Sequence, residues 1–427
     1  MRFEDLVIKK YKEQNNSENF QNLRQECFLK FQKTGIPKSK NEKWKYINVS
    51  RFLKSKIDFK IDPTKKPKKF FSNSVNKIVL YNGEIQKDLS FVENKGIVFC
   101  DLKEACKKNH KIINKIINYN KENYDGLCLL NTAFLNEKSL FIMIEKDTKI
   151  KDPIEIIHFY DTENEVLINQ KQIIYVNKNC EVTINEKIKN LGSKYIFCNS
   201  VNEILCEKKS IMDYYKTQNS KNISLIDNNF ISQEEKSDFS IHTYTFSGDL
   251  IRNNIYVDLK AKNSTANLYG ISFLKNKSIV DNYTYIKHLV SNCYSNELYK
   301  GIYDDSSRGV FCGKILVDKN SQKTDAFQQN NNILLSNGSS IDSKPQLEIY
   351  ADDVSCSHGC TIGQIDNNAL FYLKTRGIKH EIAVKMLTYG FIYDVLKKCK
   401  ITTLQKFIKE ILLKNKETKS SFFKHEI

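Results

Sequence analysis

The chain has 427 residues, enough for two or three domains. Its 67 Lys and Arg outweigh 50 Asp and Glu, for a formal charge of +17 and a pI near 9.1. A hydrophobic content of 40% excludes a wholly disordered chain, and no apolar run approaches the roughly 18 to 20 residues that a helical bilayer span needs. The excess is almost all lysine, because arginine occurs only at Arg2, Arg24, Arg51, Arg252, Arg308 and Arg376. Phosphate and base recognition favours arginine's planar fork. Lysines scattered among many Asn and Ile residues read instead as compositional drift, with a functional basic surface as the alternative.

The first 35 residues read as helical. Phe3, Leu6 and Val7, then Phe20, Leu23, Phe28 and Phe31, recur at spacings of three and four before Gly35 and Pro37 stop the pattern. The stretch 41–53 carries the only tryptophan, Trp44, and is expected to anchor this region to the body. Two prolines among like charges at 62–69 make the best linker. From about Ile78 to Ile365, short Ile, Val, Tyr and Phe segments alternate with polar residues, and Asn, Asp, Lys and Ser clusters separate them. No amphipathic helix is expected to interrupt that run. So long a series of strands suits a stacked solenoid, although no fixed repeat can be extracted. After Asp366 the helical period returns, with stripes at Ile382, Met386, Leu387 and Leu396, then Leu404, Phe407, Ile408, Ile411 and Leu412. The division is 1–70 helical with linker, 71–365 β body and 366–427 helical.

Familiar catalytic motifs are missing. Gly309-Val310-Phe311-Cys312-Gly313-Lys314 is one residue short of a phosphate loop, and Ile315 stands where Ser or Thr should hold magnesium. No GxGxxG, GxSxG or HExxH occurs. The 12 cysteines fall at irregular spacings with no paired CxxC, so no zinc ribbon or ferredoxin framework is read. The N-terminus has an acidic first turn and no apolar signal core, so the cytoplasm and reduced thiols are expected.

One segment concentrates ligand-type side chains. If 354–360 is extended, Cys356, His358 and Cys360 share one face as candidate metal ligands. Thiolate and imidazole suit iron or zinc. Residues two apart on a strand are about 7 Å apart, so these three cannot close one mononuclear site without a bend, which Gly359 could supply, or a partner. The plainer reading is an edge strand with a buried Cys and a satisfied His. His110, His158, His242, His288, His380 and His425 show no ligand spacing and read as surface or structural residues.

Residues 330–378, which include KPQLEIYADDVSCSHGC, closely resemble the C-terminal signature of the SufD branch of the SufB/SufD family of the SUF iron–sulfur cluster assembly system. The stretch 299–332 resembles the preceding family segment, and NEKWKYIN, YNGEI and LNTAF resemble its weaker N-terminal landmarks. The resemblance implies a right-handed parallel β-helix flanked by N- and C-terminal α-helical domains. It also implies a non-catalytic scaffold that pairs with a SufB-like paralogue and a SufC-like ATPase, the latter docking on the helices after Asp366. A transient iron–sulfur cluster would form at the SufB–SufD interface, with His358 facing a SufB cysteine. Cys360 departs from the family's usual alanine, and is either an added thiol ligand or a small-for-small replacement. A flavin in the complex and a homodimer of the chain alone are left open, and neither nucleic acid nor membrane is an expected partner. The competing readings are a carbohydrate-active β-helix enzyme and, on charge alone, a nucleic-acid-binding protein. The first needs converging carboxylates, whereas Asp352 and Asp353 should project to opposite faces of a strand.

Overall fold

A computed structural model of the chain describes residues 3–13, 20–53, 57–59 and 74–413. The linker expected at 62–69 lies outside the described residues. The body is a parallel β-solenoid of about eight turns, in which successive strands alternate between an 11-stranded and a 9-stranded sheet. From Ile154 onward each strand therefore pairs in parallel with the strand two places away, not with its chain neighbour, whereas Asn76–Tyr81 and Glu84–Ile85, and Ile97–Asp101 and Leu140–Ile144, are antiparallel neighbours. The turns between strands carry left-handed residues such as Asn179, Asn222, Asn263, Asn292 and Asp305, residue types that accept positive φ at the lowest cost after glycine. Turn length varies, and this hides the period. Register partners lie 26 residues apart at Ser224↔Leu250 but 32 apart at Arg308↔Ser340.

The two sheets enclose a lumen filled by Ile, Val, Leu and aromatic side chains from both, including Ile184, Ile204, Met212, Phe239 and Ile255. The lumen is not uniformly apolar. Lys216 lies 2.7 Å from Asp227 and 3.4 Å from Glu186, all fully buried, and Tyr214 donates to Glu186. A buried ion is tolerated only when its partners replace the lost water, and this group does so with Asn202 and Asn229 around Asp227.

Helices cover the outer faces of the sheets. α1 (Phe3–Lys12) and α2 (Gln21–Thr34) form as the periodicity predicts, and Gly35, at φ 63, closes α2. Their apolar side meets Leu127, Leu130, Phe197, Ile226 and Leu250, the last three on the 9-stranded sheet. Trp44 is buried as expected. Its indole donates to Asp125 at 3.1 Å, and the Arg252 guanidinium lies 3.9 Å from its ring centroid. Arg252 also pairs with Asp281 and donates to the Lys43 carbonyl, so one side chain ties the N-terminal segment to the solenoid.

Two helices contradict the unbroken strand run read from the sequence. α3 (Leu102–Asn120) starts at an Asp101 cap that accepts from the Glu104 N–H and buries Leu102, Ala105, Ile113, Ile116 and Ile117. That stripe is legible but diluted by Lys and Asn. α4 (Gly126–Ala133) is buried on every side, so it has no polar face to create a period. Further on, α5 (Asn367–Thr375), α6 (His380–Leu396) and α7 (Thr402–Leu413) follow the solenoid. Ile392, Val395, Leu396, Leu404, Phe407 and Ile408 pack on Tyr215, Tyr244, Tyr269 and Ile271 of the 11-stranded sheet. Ile382 and Met386, part of the apolar stripe read from the sequence, are exposed.

The buried histidines set an acid limit. His288 is fully buried, 2.8 Å from the Ser295 hydroxyl, and burial pushes its pKa from 6.5 to about 4. The unfolded chain takes up that proton as pH falls below 6.5, while the folded chain resists until about 4. Stability from this group is therefore complete above the unfolded pKa and lost on acidification, by about 3 kcal/mol at 1.36 kcal/mol per unit. Urea denaturation at neutral pH and at pH 4 should show a smaller acid-side loss in His288→Gln than in the parent. An unchanged difference would remove His288 from the acid limit.

Candidate functional site

The last rung comprises Ser340–Ile349 in the 9-stranded sheet and Val354–Gly363 in the 11-stranded sheet. Each pairs in parallel with the rung before it, Arg308–Val317 and Thr324–Leu334 respectively. Neither has a partner on its outer edge among the described residues. Alternate N–H and C=O groups along both strands therefore face outward, and side chains that would be lumen filling in an earlier rung are uncovered.

Val354–Gly363 is a continuous strand, and Gly359 is not among the glycines with positive φ, so the bend that could gather the ligands does not occur. Cys356, His358 and Cys360 do share a face. Their register partners are Ala326, Gln328 and Asn330, all buried, which places the three on the lumen side at the open end. Cys356 packs against the apolar lumen, and burial pushes its thiol pKa up. His358 and Cys360 are exposed. The other ten cysteines are buried, as small hydrophobes. Spaced at about 7 Å along one straight strand, the three side chains cannot encircle an ion. No group of three or more His, Cys, Asp or Glu able to hold a metal is found among the described residues. A metal or cluster held here needs ligands from a second surface.

The surroundings of these residues are not legible in the sequence. The Cys360 thiol lies 3.1 Å from the Ser343 hydroxyl, which donates to Asn330 Oδ1 at 2.9 Å. Since that hydroxyl's proton is committed to Asn330, its oxygen is free to accept from the thiol. Asn332 donates to the same Asn330 oxygen at 2.7 Å. Behind His358, Gln328 donates through Nε2 to Glu297 Oε2 at 3.0 Å, and the Thr284 hydroxyl donates to that oxygen at 2.9 Å. Full burial pushes the Glu297 carboxyl up to about 7, against the opposing pull of those two hydrogen bonds. Glu297, Gln328 and His358 are successive register partners, a column no local motif reveals. Only the rung spacing of about thirty residues could have linked them.

The remaining sequence motifs form no site. The glycine-bracketed run at 309–314 lies inside the strand Arg308–Val317, with no helix to receive a phosphate. Asp352 and Asp353 sit in the turn between the two terminal strands rather than on a strand, and both are exposed. His158, His242 and His288 are buried in the body, apart from the open end.

Known proteins match this architecture. A family model for the SufBD protein N-terminal region covers residues 7–156, and one for the SUF system FeS cluster assembly SufBD core domain covers residues 158–391, over half of the chain. The iron–sulfur cluster assembly protein SufD of Escherichia coli is 38% identical over 168 residues, a match spanning 39% of this chain and 40% of that protein. A SufBD family protein of Synechocystis is 25% identical over 391 residues, 87% of this chain and 85% of its own length. The SufD of Bacillus subtilis is 23% identical over 336 residues, covering 75% and 74%. With both family models laid end to end over the helical start and the solenoid, this chain belongs to the SufB/SufD family of iron–sulfur cluster assembly proteins.

Proposed function

We propose that the chain is a SufD-type scaffold subunit without catalysis of its own, and that its open rung is where a nascent iron–sulfur cluster is held. The observation that carries this reading is the uncovered strand Val354–Gly363, which presents His358 on the lumen side with no outer partner among the described residues. A SufB-type paralogue would complete the sheet edge and bring thiolates opposite His358. Imidazole on iron raises the potential relative to all-thiolate ligation. Cys356 packs among lumen residues, and burial pushes its thiol pKa up, so it is less readily ionised than a solvated thiol. The cluster is cargo in this scheme, assembled and passed on. Without a paralogue, a second copy of this chain could satisfy the same edge.

The C-terminal helices supply the second contact. Phe371 and Tyr372 on α5 and Ile382, Met386 and Tyr393 on α6 are exposed, while the opposite side of α6 is core. An apolar face of this kind suits a partner protein, here a SufC-type ATPase whose closure would strain the paired rungs. The cytoplasm fits this assignment. No helix among the described residues is long and apolar enough to cross a membrane.

Reconstitution with SufB and SufC partners tests the reading. His358→Ala should abolish iron and sulfide loading of the complex while leaving its assembly intact, and unchanged loading would contradict the assignment. Cys360→Ala separates the two roles left open for that residue. Its contact with Ser343 already uses the thiol within the rung, so loading should persist within about twofold. A loss comparable to that of His358→Ala would make Cys360 a ligand instead.

A further inference from the structure

Gln328 lies one rung inside His358, in register with it and on the same face of the same sheet. Its side chain is buried, and Gly313 from the opposite sheet makes room for it, since a Cβ on that glycine would sit 2.3 Å from Nε2. The two ends of the amide are not equivalent. Nε2 donates to Glu297, which once ionised at alkaline pH only accepts, so the amide oxygen then faces elsewhere. That oxygen is buried and has no hydrogen-bond partner. A buried acceptor left unpaired is destabilising, and the side chain next in the column toward solvent is the imidazole of His358. His358 is exposed, with room to turn, whereas Gln328 is held from behind.

We propose that Gln328 is a positioning residue for His358: its amide oxygen, turned outward by Glu297, takes the imidazole N–H and fixes one tautomer. Histidines that bind metal commonly donate their other ring N–H to such an acceptor, which sets the ring's orientation and raises its basicity. The open rung would then offer one imidazole nitrogen, already unprotonated and aimed, to whatever docks there. This deepens the reading of His358 as a ligand and draws its significance from that reading. The tautomer itself is a property of the chain alone.

The test uses the full chain, free of iron, with isotope-labelled histidine, in a proton–nitrogen correlation spectrum at alkaline pH where imidazole is neutral. Loss of signals in His358→Ala identifies the ring. In the parent, one nitrogen of His358 should appear fully protonated and the other unprotonated, with widely separated shifts. Gln328→Met keeps the chain's length and removes the oxygen, so the two shifts should converge as both tautomers become populated. Glu297→Gln, of equal size, frees the amide to turn over and should give an intermediate separation. His358 shifts identical to the parent in both variants would overturn the proposal. If Gln328→Met also disturbs the signals of buried His242 and His288, Glu297→Gln alone decides: converging shifts support the proposal and unchanged shifts overturn it. Because no iron is added, failure here leaves the ligand role of His358 standing, and failure of that role leaves the tautomer result intact.

Discussion

Each inner rung of the solenoid satisfies its backbone by pairing with the rung before and the rung after, and among the described residues the last rung has only the first of these. The exposure of the solenoid's last rung follows from that missing neighbour. The lumen-side positions that hold Ala326, Gln328 and Asn330 in one rung hold Cys356, His358 and Cys360 in the next, with water in place of a cover. An open edge of two stacked sheets is a template for further pairing, and natural proteins usually blunt it. Here the edge carries Ser355, Ser357, His358 and Thr361, polar enough to be solvated alone.

The helices sharpen that constraint. α1, α2 and α4 cover the 9-stranded sheet, and α6 and α7 cover the 11-stranded sheet. The unpaired strands of the last rung and the exposed side of α5 and α6 both leave apolar or hydrogen-bonding capacity uncovered. These two surfaces are adjacent in the chain, since Val354–Gly363 leads directly into α5 through the Asp366 cap. Only Gln364 and Ile365 separate the strand that carries His358 from that cap. The Trp44–Arg252–Asp281 group plays the corresponding role at the other end of the chain. Removing Arg252 would strand a buried carboxylate, a loss of about 3 to 5 kcal/mol in comparable buried pairs.

The architecture was legible because strand alternation and helical periods survive even in a lysine- and asparagine-rich composition. Helices at both ends and the long β body follow from periodicity, and the shared face of Cys356, His358 and Cys360 follows from strand alternation. What sequence could not show depends on register. Glu297, Gln328 and His358 are 31 and 30 residues apart, and only rung stacking makes them neighbours. The variable turns that erased the repeat also hid that column. α4 leaves no periodic trace because it is buried on all sides, and the turn at Asp352 and Asp353 reads as strand in the sequence because strand boundaries are weakly marked in such polar stretches.

The central claim, that the uncovered rung is the working surface, is most directly tested by amide hydrogen exchange on the chain with and without a SufB-type partner. Alone, the outward amides of Val354–Gly363 should exchange fast while the strand Thr324–Leu334 behind it is protected. On complex formation, new protection should centre on Ser340–Ile349 and Val354–Gly363. Unchanged exchange in the last rung, with protection arising elsewhere on the solenoid, would contradict the account.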